Sequence, residues 1–322
     1  MKTSLLLAIP AALSMTLPFT PDSALTLVTQ PQQGYTAIYN LMNNAQKTLD
    51  LTMYELTDTT AENDLVNAAA RGVTVRVVLD VNREKSHNQA AYTLLSGKGV
   101  HVVWANTSYA ATHQKTLTVD GATSAIMTGN LTSQYYATSR DFAVLDSTAS
   151  DVAAIEKVFT ADYAHSSVTP GDGADLVWSP TDSQSKLLAL INGASASLQV
   201  ENEEMGLPAV TTALENAAKR GVAVQVVMTN TADDYASEFD ALTAAGAKVA
   251  TYAADASLYI HAKAIVADYG HTGAKVFLGS ENFSNASLNE NRELGLITTD
   301  SAVMTSVHST LASDYAGGTV WS

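Results

Sequence analysis

The chain carries one short combination of histidine, lysine and aspartate twice. The copies are His113-Gln-Lys115-Thr-Leu-Thr-Val-Asp120 and His261-Ala-Lys263-Ala-Ile-Val-Ala-Asp268. In an extended strand, residues two apart point to the same side, so the His and Lys of each copy are expected to share one face. An imidazole can attack phosphorus or shuttle a proton, and an ammonium group can neutralise a phosphate oxygen. The repeated motif therefore favours a phosphodiester-cleaving site.

Each copy is followed by a similar set of polar residues. A hydroxyl, an amide and an acid follow in both halves, and the acid comes eleven residues after the amide each time. Hydroxyl and amide groups can bind phosphate oxygens. A carboxylate bonded to an imidazole Nδ1–H fixes the tautomer and leaves Nε2 free to react. The two sets are Thr128, Asn130 and Asp141, and Ser280, Asn282 and Glu293.

The flanking sequence is duplicated as well. Asn67-Ala-Ala-Ala-Arg71-Gly-Val matches Asn216-Ala-Ala-Lys-Arg220-Gly-Val at an offset of 149, and the offset stays between 148 and 152 through the motifs. Such regularity indicates an ancestral duplication. The order in each half is helix, strand, helix, Arg-Gly turn, strand, helix, strand and motif strand. The strands predicted at 73–79 and 222–228 are nearly continuous apolar runs, as in sheets covered by helices on both faces.

The two motifs, with Gly279-Ser280-Glu-Asn282 after the second, resemble the signature of the phospholipase D superfamily, and the resemblance covers about residues 25 to 318. It implies an α/β fold of two homologous α/β/α halves with mixed sheets. The halves would be related by a pseudo-two-fold axis, with the active site at their interface. It also implies a covalent phosphohistidine formed on one His while the other protonates the leaving alcohol, with no metal or cofactor required. By the family's usual pattern His113 is the nucleophile, although the residues themselves leave that choice open.

The resemblance assigns a role to each motif position. Asp120 and Asp268 are expected to be structural. Each lies an odd number of residues after its histidine and so points to the opposite side of an extended strand. The first half departs from the family pattern in having Thr128 for a serine and the shorter Asp141 for a glutamate, whose reach to an imidazole is less certain. The expected catalytic residues are His113, Lys115, His261, Lys263, Asp141 and Glu293, and the expected substrate-binding residues are Asn130, Asn282, Thr128 and Ser280.

Residues outside the motifs allow fewer conclusions. Glu55, Glu203 and Glu204 fall at equivalent strand ends, where a cleft could open and substrate could be touched. Aromatic residues just before the motifs could line an apolar entrance or belong to the core; these are Trp104, Tyr109, Tyr252 and Tyr259. The histidines without a repeat partner are read as structural or exposed; these are His87, His101, His165, His271 and His308.

The composition limits the possible partners. The chain has 17 Lys and Arg against 32 Asp and Glu, a formal net charge of −15, and no basic run. Proteins that grip nucleic acid non-specifically normally show a basic stripe, so no stable nucleic-acid partner is expected. Cysteine is absent, which excludes disulfides and thiolate nucleophiles. The expected partner is a phospholipid or other phosphodiester substrate, with transient contact to a membrane surface, and the protein is expected to be a monomer.

The N-terminus has the three regions of a secretory signal: a basic start, a short apolar core and a polar exit containing proline. We therefore expect a secreted protein, extracellular or periplasmic. The expected organisation is a signal peptide at 1–24, a first half at 25–165, a linker at 166–174 and a second half at 175–322.

Three functions remain open at this point. The first is a secreted phospholipase D that hydrolyses or transfers phosphatidyl groups, and the second is an extracellular metal-independent nuclease or other phosphodiesterase on the same fold. The third, a binding module that has lost catalysis, is disfavoured because His, Lys and Asn are intact in both halves. The sequence does not decide between lipid and nucleic acid, or between hydrolysis and transfer.

Overall fold

A computed structural model describes residues 24–322 of the chain. The predicted signal peptide lies outside this range except for Ala24. Among the helices of the described part, none is sufficiently long and apolar to cross a membrane.

The first half alternates strands with helices up to the first motif, then forms an antiparallel hairpin and a long helix. The predicted hairpin after the motif is confirmed as β5 and β6. The elements are β1 Leu25–Gln30, α1 Thr36–Asn43, β2 Thr48–Met53, α2 Thr59–Ala70, β3 Thr74–Leu79, α3 Lys85–Ser96, β4 His101–Trp104, β5 Thr116–Val119, β6 Thr123–Met127, a 3₁₀ turn Ser133–Tyr135, β7 Ser139–Asp146 and α4 Ala149–Tyr163.

The second half repeats this order with a short helix in place of the 3₁₀ turn, and it adds two short strands, β12 and β16. The predicted linker at 166–174 lies between α4 and the first strand of this half. The elements are β8 Leu176–Ser179, α5 Ser183–Gly193, β9 Ser197–Glu201, α6 Pro208–Lys219, β10 Ala223–Asn230, α7 Ala236–Ala244, β11 Lys248–Ala253, β12 Tyr259–Ile260, β13 Lys263–Ala267, β14 Lys275–Gly279, α8 Asn285–Asn289, β15 Glu293–Thr298, α9 Ser301–Gly317 and β16 Thr319–Val320.

Both halves form a mixed sheet with the same topology. The first sheet has the order β1-β7-β6-β5-β2-β3-β4, and the second has β8-β15-β14-β13-β9-β10-β11 with β16 added at its edge. Pairing is parallel among β2, β3 and β4 and among β9, β10 and β11, and antiparallel elsewhere along these orders. The predicted fold class of two α/β halves with mixed sheets is confirmed.

Local sequence explains where these elements end. Gly72 and Gly221, which follow α2 and α6, both have a φ of +92°, a conformation that costs little only for glycine. This confirms the predicted Arg-Gly helix ends. The sequence analysis did not predict β1 and β8 as strands. Each is a sheet-edge strand that becomes recognisable only through its antiparallel pairing with β7 or β15.

The core consists of two outer layers and one shared inner layer. Helices α1 to α3 pack on the first sheet through residues such as Ile38 and Leu65, and α5 to α7 pack on the second through residues such as Leu187 and Leu214. The inner cluster joins both sheets with α4 and α9, and includes Phe142, Trp178 and Leu294. Because this inner cluster draws on both halves, burial of its apolar surface holds the halves together.

Short backbone contacts also cross between the halves. The second-half strand β12 pairs in parallel with β7, placing Tyr259 opposite Ser139 and Ile260 opposite Arg140. Reciprocally, Thr112 of the first half forms an isolated parallel bridge with Arg292. In each half, the segment just before the motif therefore pairs with backbone at the acid-bearing strand of the other half.

The two motif aspartates anchor the start of a neighbouring strand. The Asp120 carboxylate accepts hydrogen bonds from the backbone N–H groups of residues 46–48. Asp268 accepts the equivalent bonds from residues 195–197. These N–H donors lower the pKa of both carboxylates, although burial opposes the effect. The structure thus gives both aspartates a structural position at the turn, away from the cleft described below.

Asp268→Ala is expected to destabilise the protein, because three backbone N–H groups lose a charged acceptor. The expected loss in free energy of unfolding is about 3 kcal/mol, from the typical contribution of hydrogen bonds to charged groups. Urea unfolding followed by circular dichroism measures it, with the exposed Asp255→Ala as the matched control. A variant as stable as this control would contradict the anchoring role.

Candidate active site

Each motif histidine lies just before its strand, in a segment paired with the opposite half. The backbone N–H groups of His113 and Gln114 both donate to the Arg292 carbonyl at 2.9 Å, and the His261 N–H donates to the Arg140 carbonyl at 3.3 Å. The expectation that the histidines lie within the motif strands is therefore wrong by a few residues. Their backbone pairs across the two halves, and this brings each histidine beside the acid of the opposite half.

The two imidazoles are each held by a carboxylate from the other half. His113 Nδ1 lies 2.7 Å from Glu293 Oε2, and His261 Nδ1 lies 2.9 Å from Asp141 Oδ1. Asp141 therefore reaches its imidazole despite its shorter side chain. An Nδ1–H bonded to a carboxylate leaves Nε2 as the reactive nitrogen. The geometry thus presents two oriented histidines at one place.

Further side chains fix the two acids. Thr128 Oγ1 donates to Asp141 Oδ1 at 2.6 Å and accepts from the Phe142 N–H at 2.9 Å. On the other side, Ser287 Oγ and Asn291 Nδ2 donate to Glu293 Oε1 at 2.5 and 3.0 Å. The sequence analysis missed Ser287 and Asn291, which have no partner in the repeat.

The predicted substrate hydroxyls have internal partners. Thr128 holds Asp141, and Ser280 Oγ lies 3.4 Å from the Leu294 carbonyl while accepting the Leu294 N–H at 3.2 Å. Both side chains are buried, and neither lines the cleft. The structure therefore gives these hydroxyls a positioning role in place of the expected contact with substrate.

The motif lysines are buried next to their histidines. Each Nζ donates to the backbone carbonyl of its own histidine at 2.5 Å. Lys115 Nζ also lies 4.8 Å from the centre of the Tyr54 ring, and that ring meets the His113 ring edge-on at 4.6 Å. The shared contact with Tyr54 shows that His113 and Lys115 face the same side, as the spacing predicts.

Beside the second motif, Glu203 occupies the position that Tyr54 occupies beside the first. Its Oε2 lies 3.1 Å from Lys263 Nζ and 3.4 Å from His261 Nε2, and its Oε1 accepts a hydrogen bond from Tyr259 Oη at 3.1 Å. Burial opposes ionisation of this carboxyl. The adjacent His261 and Lys263 outweigh burial and hold the pKa of Glu203 well below its usual range. Glu203 is therefore an ionised carboxylate at the centre of the site.

Burial and the two motif lysines shift the pKa values of His113 and Lys115. Burial lowers the pKa of His113, and Lys115 and Lys263 add to the shift against the opposing Glu293. Burial also lowers the pKa of Lys115 to about 7, with Lys263 as the next contributor. The His113 imidazole is accordingly neutral near pH 7, and Lys115 is close to its titration point.

Both histidines open into one cleft of about 820 Å³ between the halves. The amides of Asn130 and Asn282 line it, and the Oδ1 atom of each is buried without a hydrogen-bond partner among the described residues. Amide side chains at a cleft wall can donate to and accept from a polar ligand, and the Asn282 Nδ2 also lies 3.4 Å from Glu204 Oε1. The three strand-end glutamates also line the cleft: Glu55, Glu203 and Glu204.

The aromatic residues and the remaining histidines named in the sequence analysis differ in whether they line the cleft. Tyr259 lines the cleft, whereas Trp104 stacks on Tyr92 and the Tyr252 hydroxyl donates to the Asp314 carbonyl. Tyr109 packs against the guanidinium of Arg292. None of the histidines without a repeat partner lines the cleft; these are His87, His101, His165, His271 and His308.

One group in residues 24–322 could geometrically share a cation, namely Glu55, Glu84 and His87. His87 is largely exposed and pairs with Glu84, so the group has the character of a surface ion pair. Neither motif contributes a side chain to it.

Two buried ion pairs brace the strands that carry the acids. Arg140 Nε lies 2.5 Å from Asp314 Oδ2 in α9, and Arg292 Nε lies 2.9 Å from Asp162 Oδ2 in α4. Each arginine precedes its acid and reaches the long helix of the other half. The sequence analysis missed both pairs, although all four residues obey the repeat offset of 152.

Comparison with known proteins places this geometry in context. The family model described as "Cardiolipin synthase, PLD-like domain" matches residues 38–163 and again 187–315. Comparison with curated protein sequences finds no match.

Three solved structures resemble the chain at low sequence identity. Phosphatidylserine synthase from Haemophilus influenzae Rd KW20 has a TM-score of 0.67 at 12% identity, covering 93% of this chain and 88% of that one. Polyphosphate kinase from Porphyromonas gingivalis has a TM-score of 0.70 at 14% identity, covering 90% of this chain, which spans 50% of the kinase. Nuc from Salmonella typhimurium, a phospholipase D family member, has a TM-score of 0.41 at 23% identity, covering 45% and 95%.

The two long matches show the same fold, and the family model covers both halves including both motifs. The chain belongs to the phospholipase D-like family.

Proposed function

We propose that this protein is a secreted phosphodiesterase of phospholipase D type, which cleaves the bond between a phosphatidyl group and its head-group alcohol. The observation that carries the proposal is the pair of imidazoles in one cleft, each oriented by a carboxylate of the opposite half at 2.7 and 2.9 Å. Covalent transfer through one histidine with proton transfer by the other requires two such groups. Secretion rests on the signal-like sequence at 1–24 alone.

The surroundings of the two rings assign their roles. His113 is kept neutral by burial and by the lysines, and a neutral Nε2 has the lone pair needed to attack phosphorus. His261 has a carboxylate at both ring nitrogens, Asp141 at Nδ1 and Glu203 at Nε2. We assign the proton-donor role to this ring, which lies between two carboxylates. In the proposed first step, His113 Nε2 bonds to phosphorus while the bond to the leaving oxygen breaks, and His261 gives that oxygen a proton.

The second step reverses these movements. His261, now neutral, takes a proton from water or from an alcohol, whose oxygen attacks phosphorus and breaks its bond to His113. Water yields phosphatidic acid, and an alcohol yields a new phosphodiester. Lys115, Lys263 and the amides of Asn130 and Asn282 supply positive charge and N–H donors for the phosphoryl oxygens in both steps.

The lining of the cleft favours a phospholipid over nucleic acid. In the described part of the chain, the motif lysines lie buried beside the two histidines and no further lysine or arginine lines the cleft, whereas tyrosines such as Tyr54, Tyr135 and Tyr235 do. A nucleic-acid groove needs cations along the flanking phosphates. The matching family model is also named for a phospholipid synthase, which supports a phosphatidyl substrate.

Wild-type protein is expected to release free head group and phosphatidic acid from phosphatidylethanolamine or phosphatidylcholine. His113→Ala is expected to lower kcat by about 10³-fold or more, because it removes the nucleophile. Mass spectrometry of both products measures the rate, and His271→Ala, outside the cleft, is the matched control. Absence of head-group release by wild type across a lipid panel would contradict the proposal. Cleavage of DNA or RNA in chelator would instead support the nuclease alternative.

The rate is expected to depend on pH through Lys115. This ammonium has a pKa of about 7 because burial and Lys263 disfavour its charge, so it loses its proton as pH rises through 7. Since the neutral amine no longer stabilises the phosphoryl oxygens, kcat/KM should fall on the alkaline side with an apparent pKa of about 7.

Lys115→Arg separates this effect from other titrations, since the guanidinium stays protonated. Its expected kcat/KM is lower than that of wild type but no longer falls near pH 7. If kcat/KM of this variant still falls near pH 7, a group other than Lys115 causes the fall.

A further inference from the structure

We propose that Glu203 determines substrate specificity by occupying the anion position of the cleft and, once displaced by the scissile phosphate, binding an ammonium group on the leaving alcohol. The site would then select phosphodiesters with amine-bearing head groups over diesters of uncharged alcohols. This inference rests on the proposed function and names the substrate class of the same site.

The position of the Glu203 carboxylate is that of a substrate oxygen. Its contacts of 3.1 Å to Lys263 Nζ and 3.4 Å to His261 Nε2 join it to the two groups that must meet the phosphoryl and leaving oxygens. A phosphodiester that reaches His261 therefore displaces the carboxylate from these cations. The displaced carboxylate remains in a partly enclosed site, where an unpaired anion is costly.

The duplicated fold shows that this carboxylate is not a general requirement of the architecture. Tyr54 lies 149 positions before Glu203, the same offset that relates the two halves at Leu49 and Leu198. Tyr54 contacts His113 and Lys115 with an aromatic ring, whereas Glu203 contacts His261 and Lys263 with a charge. The two His–Lys pairs therefore have different neighbours: an aromatic ring lies beside the pair of the nucleophile, whereas the proton donor has an acidic side.

The acidic side is where the leaving alcohol lies. His261 must protonate the leaving oxygen, so the rest of that alcohol extends next to Glu203. Glu204, Asp234 and the rings of Tyr235 and Tyr259 also line the cleft. Carboxylates and aromatic faces both attract an ammonium group. A cationic head group would thus replace the contacts that Glu203 loses, whereas an uncharged alcohol would not.

Glu203→Gln tests this by changing the charge with almost no change in shape. The paired substrates are dihexanoyl phosphatidylethanolamine and dihexanoyl phosphatidylpropanol, used as monomers so that both release the same phosphatidic acid without a membrane surface. Wild type is expected to prefer the amine in kcat/KM by about tenfold or more, and the variant to lose most of that preference. Asp255→Asn removes an exposed carboxylate beside the cleft-lining Ala254 and Ala256, and should retain the wild-type ratio.

Binding of inorganic phosphate supplies a readout that needs no turnover. Because Glu203 competes for the same cations, Glu203→Gln is expected to bind phosphate about tenfold more tightly in calorimetry, and Glu203→Ala should agree. Unchanged phosphate affinity in both variants, or an unchanged substrate ratio, would overturn this proposal. If wild type cleaves neither lipid, the proposed function fails, and the phosphate titration still decides whether the carboxylate occupies the anion position.

Discussion

The catalytic geometry depends on the backbone register between the two halves. Strand β12 pairs with β7, and Thr112 pairs with Arg292, so each motif histidine is hydrogen-bonded through its backbone to the residue that precedes the opposite acid. Register in extended backbone decides which side chains meet. The pairs His113–Glu293 and His261–Asp141 follow from that register, and neither half alone contains an oriented histidine.

Two buried ion pairs also join the halves at this interface. Arg140 and Arg292 lie directly before the two acids, and each forms an ion pair with an aspartate in the long helix of the other half. Breaking such a pair leaves an uncompensated buried charge, which typically costs about 3–5 kcal/mol. The apolar inner cluster supplies the attraction between the halves, and these ion pairs penalise alignments that would separate their charges.

Sequence periodicity and the repeat were sufficient to predict the duplicated α/β fold, the Arg-Gly helix ends and the hairpins. The repeat also identified equivalent residues in the two halves, and the family resemblance implied that both sets meet at one site. Contacts between the halves could not be predicted, since no local pattern records which acid meets which histidine. For the same reason the bond from Thr128 to Asp141, the support of Glu293 by Ser287, and the arginine pairs were found only in three dimensions.

The proposed two-step reaction gives the two histidines different roles, because one attacks phosphorus through a neutral nitrogen while the other donates a proton. The halves differ in sequence at 128/280 and 141/293, yet both acids reach their imidazoles at similar distances. The larger electrostatic difference lies at 54/203, where one half places an aromatic ring beside its His and Lys and the other places a carboxylate. Tyr54 places an uncharged ring beside His113, whereas Glu203 places a carboxylate 3.4 Å from His261 Nε2. Divergence at this one strand-end position therefore gives the two histidines different neighbours, within a framework that the duplication otherwise keeps the same.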